Sequence, residues 1–96
     1  MRTIKSQDGK MIVNAEKAKV FRVGEYKDIG LGDLRWQIHE RYMLLAEYST
    51  ESRALRVMDM LNEWLTENTP QMSAYVSYHL AYNRFQMPQD SEELDA

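Results

Sequence analysis

Apolar and polar residues change their spacing part-way along the chain: as far as about residue 48 they alternate or run in short blocks between turn residues, and beyond it they recur at helical intervals. Asp8-Gly9, both tolerant of positive φ, sits between Thr3-Ile4-Lys5-Ser6 and Met11-Ile12-Val13 and predicts a hairpin of the first two strands. Lys19 to Val23 is rich in β-formers and predicts a third strand that ends at Gly24, with Gly30, Gly32 and Asp33 punctuating the connection after it. Leu34, Trp36 and Ile38 alternate with Arg35, Gln37 and His39, the period of a strand with one buried and one wet face. Tyr42 to Tyr48 is mostly apolar on both faces, which predicts a fifth strand inside the sheet with a helix over one side.

The spacing then lengthens. Ser49 and Thr50 offer N-cap hydroxyls ahead of Ala54, Leu55, Val57, Met58, Leu61, Trp64 and Leu65, an apolar stripe that predicts a long helix ending near Asn68. Its charges oppose the helix dipole: Arg53 and Arg56 lie near the positive end, Glu63 and Glu67 near the negative one. Solvation, pairing of Arg56 with Asp59 and contacts to other elements are the ordinary ways to offset such a mismatch. Thr69-Pro70 reads as a second N-cap with proline at the first helical position, and Met72, Tyr75, Val76, His79 and Leu80 share one face of the helix it would open. Alternation of Tyr78, Leu80 and Tyr82 leaves a strand open as the other reading, and Tyr82 to Met87 reads as a final strand under either.

Composition narrows the class. Ninety-six residues suit one domain, placed at residues 1–88, with 89–96 as an acidic tail expected to be flexible. No apolar run reaches the roughly 20 residues of a membrane span and the N-terminus lacks the apolar stretch of a signal peptide, so a cytoplasmic location is expected. Cysteine is absent and histidine numbers two, which leaves no thiol chemistry and little for a metal; neither metal nor cofactor is expected. The net charge is −3, but ahead of the tail the count is 12 Lys/Arg against 11 Asp/Glu, a poor match to a protein that grips extended nucleic acid.

Catalytic candidates are few. His39 and His79 stand in no recognisable spacing with a nucleophile, and Gly30-Leu31-Gly32 precedes a predicted strand where a dinucleotide fold requires a helix. Arginines beside aromatic residues are more suggestive: Arg22 on the third strand, Arg35 next to Trp36, and Arg84 between Asn83 and Phe85. A guanidinium on phosphate or carboxylate with a ring stacked on a base is the chemistry such pairs support, against a plainer role as core rings with arginines reaching to water. Tyr75, Tyr78 and Tyr82 fall near one helical face and, with seven methionines, also suit core lining or a protein interface.

Three segments resemble a family of small phage and prophage proteins of Gram-positive bacteria. They are Arg2 to Gly9, with Ser6-Gln7-Asp8-Gly9 at the hairpin; Met43 to Leu61, where Leu45-Ala46-Glu47-Tyr48-Ser49-Thr50-Glu51 leads into Arg53-Ala54-Leu55 and Met58-Asp59-Met60-Leu61; and Phe85-Gln86-Met87-Pro88-Gln89-Asp90 before the acidic tail. Together they span about a third of the chain. The family's architecture is similar to that of the Thoeris anti-defence sponges, oligomers that sequester cyclic ADP-ribose isomers or cyclic oligonucleotides between subunits. The resemblance implies a homo-oligomer with Asn83, Arg84 and Phe85 as its local binding group and Gln7 as a further candidate. Lys5 departs from the pattern, which has an apolar residue there.

The combined expectation is an α+β fold, an antiparallel β-sheet of about five to six strands packed against one long and one shorter helix. It would act as a self-associating binding protein and not as an enzyme, holding a nucleotide-derived ligand intact through Gln7, Arg22, Arg35, Trp36, Asn83, Arg84 and Phe85. The alternative is a protein–protein inhibitor of a host defence complex, of anti-CRISPR or anti-restriction type, acting through the tail and the Asp59-Glu63-Glu67 stripe.

Overall fold

A computed structural model of the chain describes residues 1–27, 30, 34–67 and 73–94. The Asp8-Gly9 turn forms, with Gly9 at φ 74°, where a side chain would be strained. Asp8 also holds it: its carboxylate accepts from Ser6 Oγ at 2.6 Å and from the Lys10 N–H at 3.0 Å, and those bonds hold its pKa below the ordinary value. The turn pairs β1 (Thr3–Lys5) with β2 (Ile12–Asn14) antiparallel, and β6 (Arg84–Gln86) returns from the far end of the chain to lie parallel to β1. A second sheet is formed by β3 (Phe21–Lys27), β4 (Leu34–Glu40) and β5 (Met43–Tyr48), in that order and antiparallel throughout. Two helices, α1 (Glu51–Thr66) and α2 (Ala74–Ala81), complete the elements among the described residues. The fold is α+β, with six strands, one long helix and one short among the described residues, and the strands divide into two three-stranded sheets joined at an edge.

Strand β3 does not stop at Gly24. It runs on to Lys27 because β4 offers a partner at every position, with Gly24 opposite Gln37 and Tyr26 opposite Arg35. Strand β5 is an edge strand and not an inner one. Its double-sided apolar pattern has another cause: its outer edge meets the hairpin turn of the other sheet, where Gln7 N–H donates to Leu45 O at 2.8 Å.

Thr50 caps α1, its hydroxyl accepting from Arg53 N–H at 3.2 Å. The helix buries Ala54, Val57, Met60, Leu61 and Trp64 against Ile38, Ala46 and Tyr48 of one sheet and Ile4 and Phe85 of the other, while Leu55 stays exposed. The far end of α1 carries no basic residue in its last turn, and Arg2 supplies the missing charge from outside. Its guanidinium lies 4.1 Å from the centre of the Trp64 ring and donates to the carbonyls of Trp64 and Leu65. At the other end Arg53 faces Asp90 at 3.7 Å and Arg56 faces Glu63 at 4.0 Å, so the apparent mismatch with the dipole is balanced by carboxylates.

Residues 74–81 are helix, opened by a Ser73 cap; Asn68, Thr69, Pro70 and Met72 lie outside the described residues, as do Gly32 and Asp33. The segment expected to run free after Pro88 instead lies against the body as far as Leu94. Asp90 accepts from Ser49 N–H at 3.0 Å, Gln89 Nε2 donates to Gln7 O at 2.7 Å, and Leu94 is 5% exposed. A single apolar residue in an acidic stretch carries little weight as a pattern, which is why burial of Leu94 is not legible from composition. Residues 95 and 96 lie outside the described residues. No helix among the described residues is long and apolar enough to cross a membrane.

Candidate functional site

Parallel pairing of β6 with β1 sets Arg84 opposite Thr3 and Gln86 opposite Lys5, so Arg84 and Lys5 stand on the same outward face while Ile4 and Phe85 between them point into the core. Helix α2 packs beside β6. Between them lies a cleft of about 270 Å³ lined by Lys5, Tyr78, His79, Arg84, Phe85 and Gln86. At its rim Tyr78 and Tyr82, one helical turn apart and 57% and 59% exposed, bring their rings to 4.9 Å, and the Arg84 guanidinium carbon lies 5.9 Å from the Tyr82 ring centre. Among the described residues neither Lys5 nor Arg84 makes an ion pair.

The walls are held from behind. Tyr75 donates its hydroxyl to Gln86 O, and burial pushes that hydroxyl well above its ordinary pKa, so it remains a donor. His79 Nδ1 lies 2.8 Å from Tyr75 O. A carbonyl only accepts, so Nδ1 is the donor in this contact. The His79 ring sits 4.2 Å from Tyr75 and 5.1 Å from Tyr78, fixed by the aromatic cluster. Gln86 Nε2 is committed to Ser6 O at 2.9 Å and Met87 O at 3.0 Å. Two cations, two exposed rings and one imidazole are therefore set on a rigid frame.

A larger hollow of about 600 Å³ opens at the start of α1, lined by Ser49, Thr50, Ser52, Arg53, Arg56, Asp90, Glu93 and Leu94. Its arginines face Asp90 and Glu63, so a second anion there would compete with carboxylates already in place. The smaller cleft offers the stronger anion site on that ground.

Comparison with family models, with curated proteins and with solved structures returns no match. The geometry therefore carries the functional reading alone.

The structure separates the seven residues expected from the sequence. Arg84 lines the cleft. Asn83 precedes it in the left-handed region, φ 57°, a conformation asparagine tolerates; its N–H donates to Leu80 O and its carbonyl accepts from Thr3 N–H, both at 3.1 Å, so it makes the turn from α2 into β6. Phe85 is wholly buried, 5.7 Å from Trp64 and 5.8 Å from Tyr75, and offers no free ring face for stacking. Gln7 spends its amide on structure: Nε2 donates to Glu47 O at 3.1 Å and Pro88 O at 3.0 Å, and Oε1 accepts from Glu47 N–H at 3.0 Å. Trp36 turns toward α1 and Arg35 to the opposite face of the sheet, so adjacent positions on β4 cannot form one pocket. Arg35 lies 3.9 Å from Glu47, and Arg22 donates to Arg41 O at 3.0 Å.

Lys5, Tyr78, His79 and Gln86 in the cleft, and Tyr82 at its rim, are what the arginine–aromatic pattern missed. The tyrosines had a signal in their shared helical face, and Lys5 had none in the local pattern. Nothing in the sequence joins the two sets, because the β1–β6 pairing spans some 80 residues.

Proposed function

We propose that the protein binds a small phosphorylated, nucleotide-derived molecule in the cleft between α2 and β6 and holds it intact, a sequestering protein of the host cytoplasm and not an enzyme. The observation that carries this reading is the pairing of two cations that have no described carboxylate, Lys5 and Arg84, with the exposed Tyr78–Tyr82 pair. Lys5 and Arg84 supply charge for phosphate, Arg84 with a planar fork that matches two phosphate oxygens. The tyrosines supply a stacking surface for a base, an interaction worth about 1–3 kcal/mol per base. A cleft of about 270 Å³ is just under the roughly 300–1,000 Å³ of sites that enclose a whole ligand. It takes one phosphate and its sugar, while the base lies over Tyr78 and Tyr82. The acidic-surface alternative draws less support, because Asp90 and Glu63 face Arg53 and Arg56 within the chain.

The test is a thermal-shift screen against cyclic dinucleotides, cyclic trinucleotides and cyclic ADP-ribose isomers, followed by chromatography of the ligand released on heating. At a hundredfold excess over Kd, binding contributes about 2.7 kcal/mol, a rise in Tm on the order of 10 °C for a domain of this size. The expected result is such a rise with the ligand recovered unchanged. A flat screen removes the binding claim, and a recovered product in place of the ligand removes the claim of sequestration.

A further inference from the structure

The longest uncovered strand edge among the described residues belongs to β3. The outer edge of β5 is closed by Gln7, and the marginal strands of the other sheet, β2 and β6, are three residues each. Strand β3 runs for seven residues with β4 on one side and no described strand on the other. Such an edge presents a row of unpaired backbone N–H and C=O groups, a template for another strand unless proline, a bulge or inward charge guards it. Strand β3 contains no proline, the one register shift in its sheet lies between β4 and β5, and its charged residues, Arg22, Glu25 and Lys27, are exposed and not buried in the core.

The order of residues along this edge is self-complementary. A twofold axis perpendicular to a sheet brings two copies of one strand together antiparallel, and one residue must then face itself, because facing residues share a side of the sheet and neighbours along a strand do not. With Gly24 on the axis all seven residues of β3 find a partner: Val23 faces Glu25, Arg22 faces Tyr26 and Phe21 faces Lys27. Each cation meets an aromatic ring and no like charges oppose. With Glu25 on the axis two carboxylates oppose, and with Val23 on it Tyr26 and Lys27 have no strand partner. The Gly24 register also covers Tyr26, which is 48% exposed on the monomer. Helix α1 packs on one face of the sheet, against β4, β5 and β3.

We propose that two copies of this chain pair through β3 about a twofold axis at Gly24. The result is one six-stranded sheet of order β5-β4-β3-β3-β4-β5, with both long helices on one side. The helix-free side is continuous across the axis and carries Arg22, Tyr26, Arg35 and His39 from each copy, with Arg22 completed by the partner's Tyr26. Burial lowers the pKa of His39, and Arg22 beside it lowers it further, so this imidazole is neutral at pH 7 and adds no charge to the face. The pairing does not depend on the ligand cleft, which lies on the other sheet.

The chain has no cysteine, so one engineered thiol reports proximity cleanly. Residues facing each other across an antiparallel pair have Cα atoms about 4.5–5.5 Å apart, inside the roughly 4.4–6.8 Å that a disulfide spans. A side-chain atom added at Gly24 meets Arg22 Nη1 at 3.8 Å, an ordinary contact, so Gly24→Cys is sterically tolerated. Under mild oxidation without ligand, Gly24→Cys is expected to run mainly as a covalent dimer, while Leu44→Cys, on the opposite edge strand, stays monomeric. Mixing Arg22→Cys with Tyr26→Cys is expected to give the mixed dimer, with little product from either alone. Tyr26→Ala, which removes two cation–ring contacts per dimer, is expected to raise the dissociation constant about tenfold by light scattering. Cross-linking of Gly24→Cys no faster than Leu44→Cys, together with no mixed dimer, overturns the proposal, and the mixed pair decides it alone if Gly24→Cys fails to fold. Because no ligand is present, failure here and failure of the ligand screen are separate results.

Discussion

At the scale of single residues, the difference between a binding side chain and a structural one lies in what its polar atoms already hold. Gln7 has the composition of a site residue, yet both ends of its amide are taken by Glu47 and Pro88, so it ties β5 to the segment after β6. Three bonds at a net of roughly 0.5–1.5 kcal/mol each place the cost of Gln7→Ala near 2 kcal/mol. Urea unfolding measures it, and a midpoint unchanged from the wild type would mean those bonds contribute nothing. Arg84 is the opposite case, a guanidinium with a ring beside it and no described carboxylate. The sequence marks both residues with equal force, because hydrogen-bond partners 40 and 81 positions away leave no trace in local pattern.

At the scale of elements, local pattern was legible where neighbours in sequence decide and misleading where distant pairing does. The Asp8-Gly9 hairpin, the Thr50 cap and the alternation of β4 follow from residues within a few positions of one another. The passage of β3 through Gly24 and the edge position of β5 follow from partners the pattern does not name. The turn from β4 into β5 holds one titratable device. Burial raises the Glu40 carboxyl, but hydrogen bonds from the Lys19 N–H, the Arg41 side chain and the Val20 N–H outweigh it, and the net pKa is below the ordinary 4.5. A lowered carboxyl contributes stability that is fully present above pH 4.5 and is lost as pH falls below it. Glu40→Gln is therefore expected to be less stable than wild type at pH 7 and to lose less between pH 7 and pH 3, read from urea midpoints at both. Equal acid losses in the two proteins would remove Glu40 from the account.

At the scale of the whole molecule, the fold is closed by its last described residues. Leu94 inserts beside α2 and Asp90 holds the start of α1, so deletion of residues 90–96 removes a buried leucine, worth about 1.5–3 kcal/mol, and exposes Arg53. The deletion is expected to lower Tm by about 8 °C or more; an unchanged Tm would mean the segment makes no net contribution. The α+β class, the strand number and the long-plus-short helix pair were legible because they sum local patterns. The division into two sheets and the parallel closure of β6 on β1 were not, and that closure is what sets Lys5 near Arg84. The measurement closest to the central claim is the thermal-shift screen run in parallel on wild type, Lys5→Ala and Arg84→Ala, whose substitutions fall on exposed side chains. A ligand-dependent rise is expected in wild type that shrinks by most of its size in both variants, with unliganded Tm values nearly equal. A rise of the same size in all three proteins would contradict the cleft as the binding site.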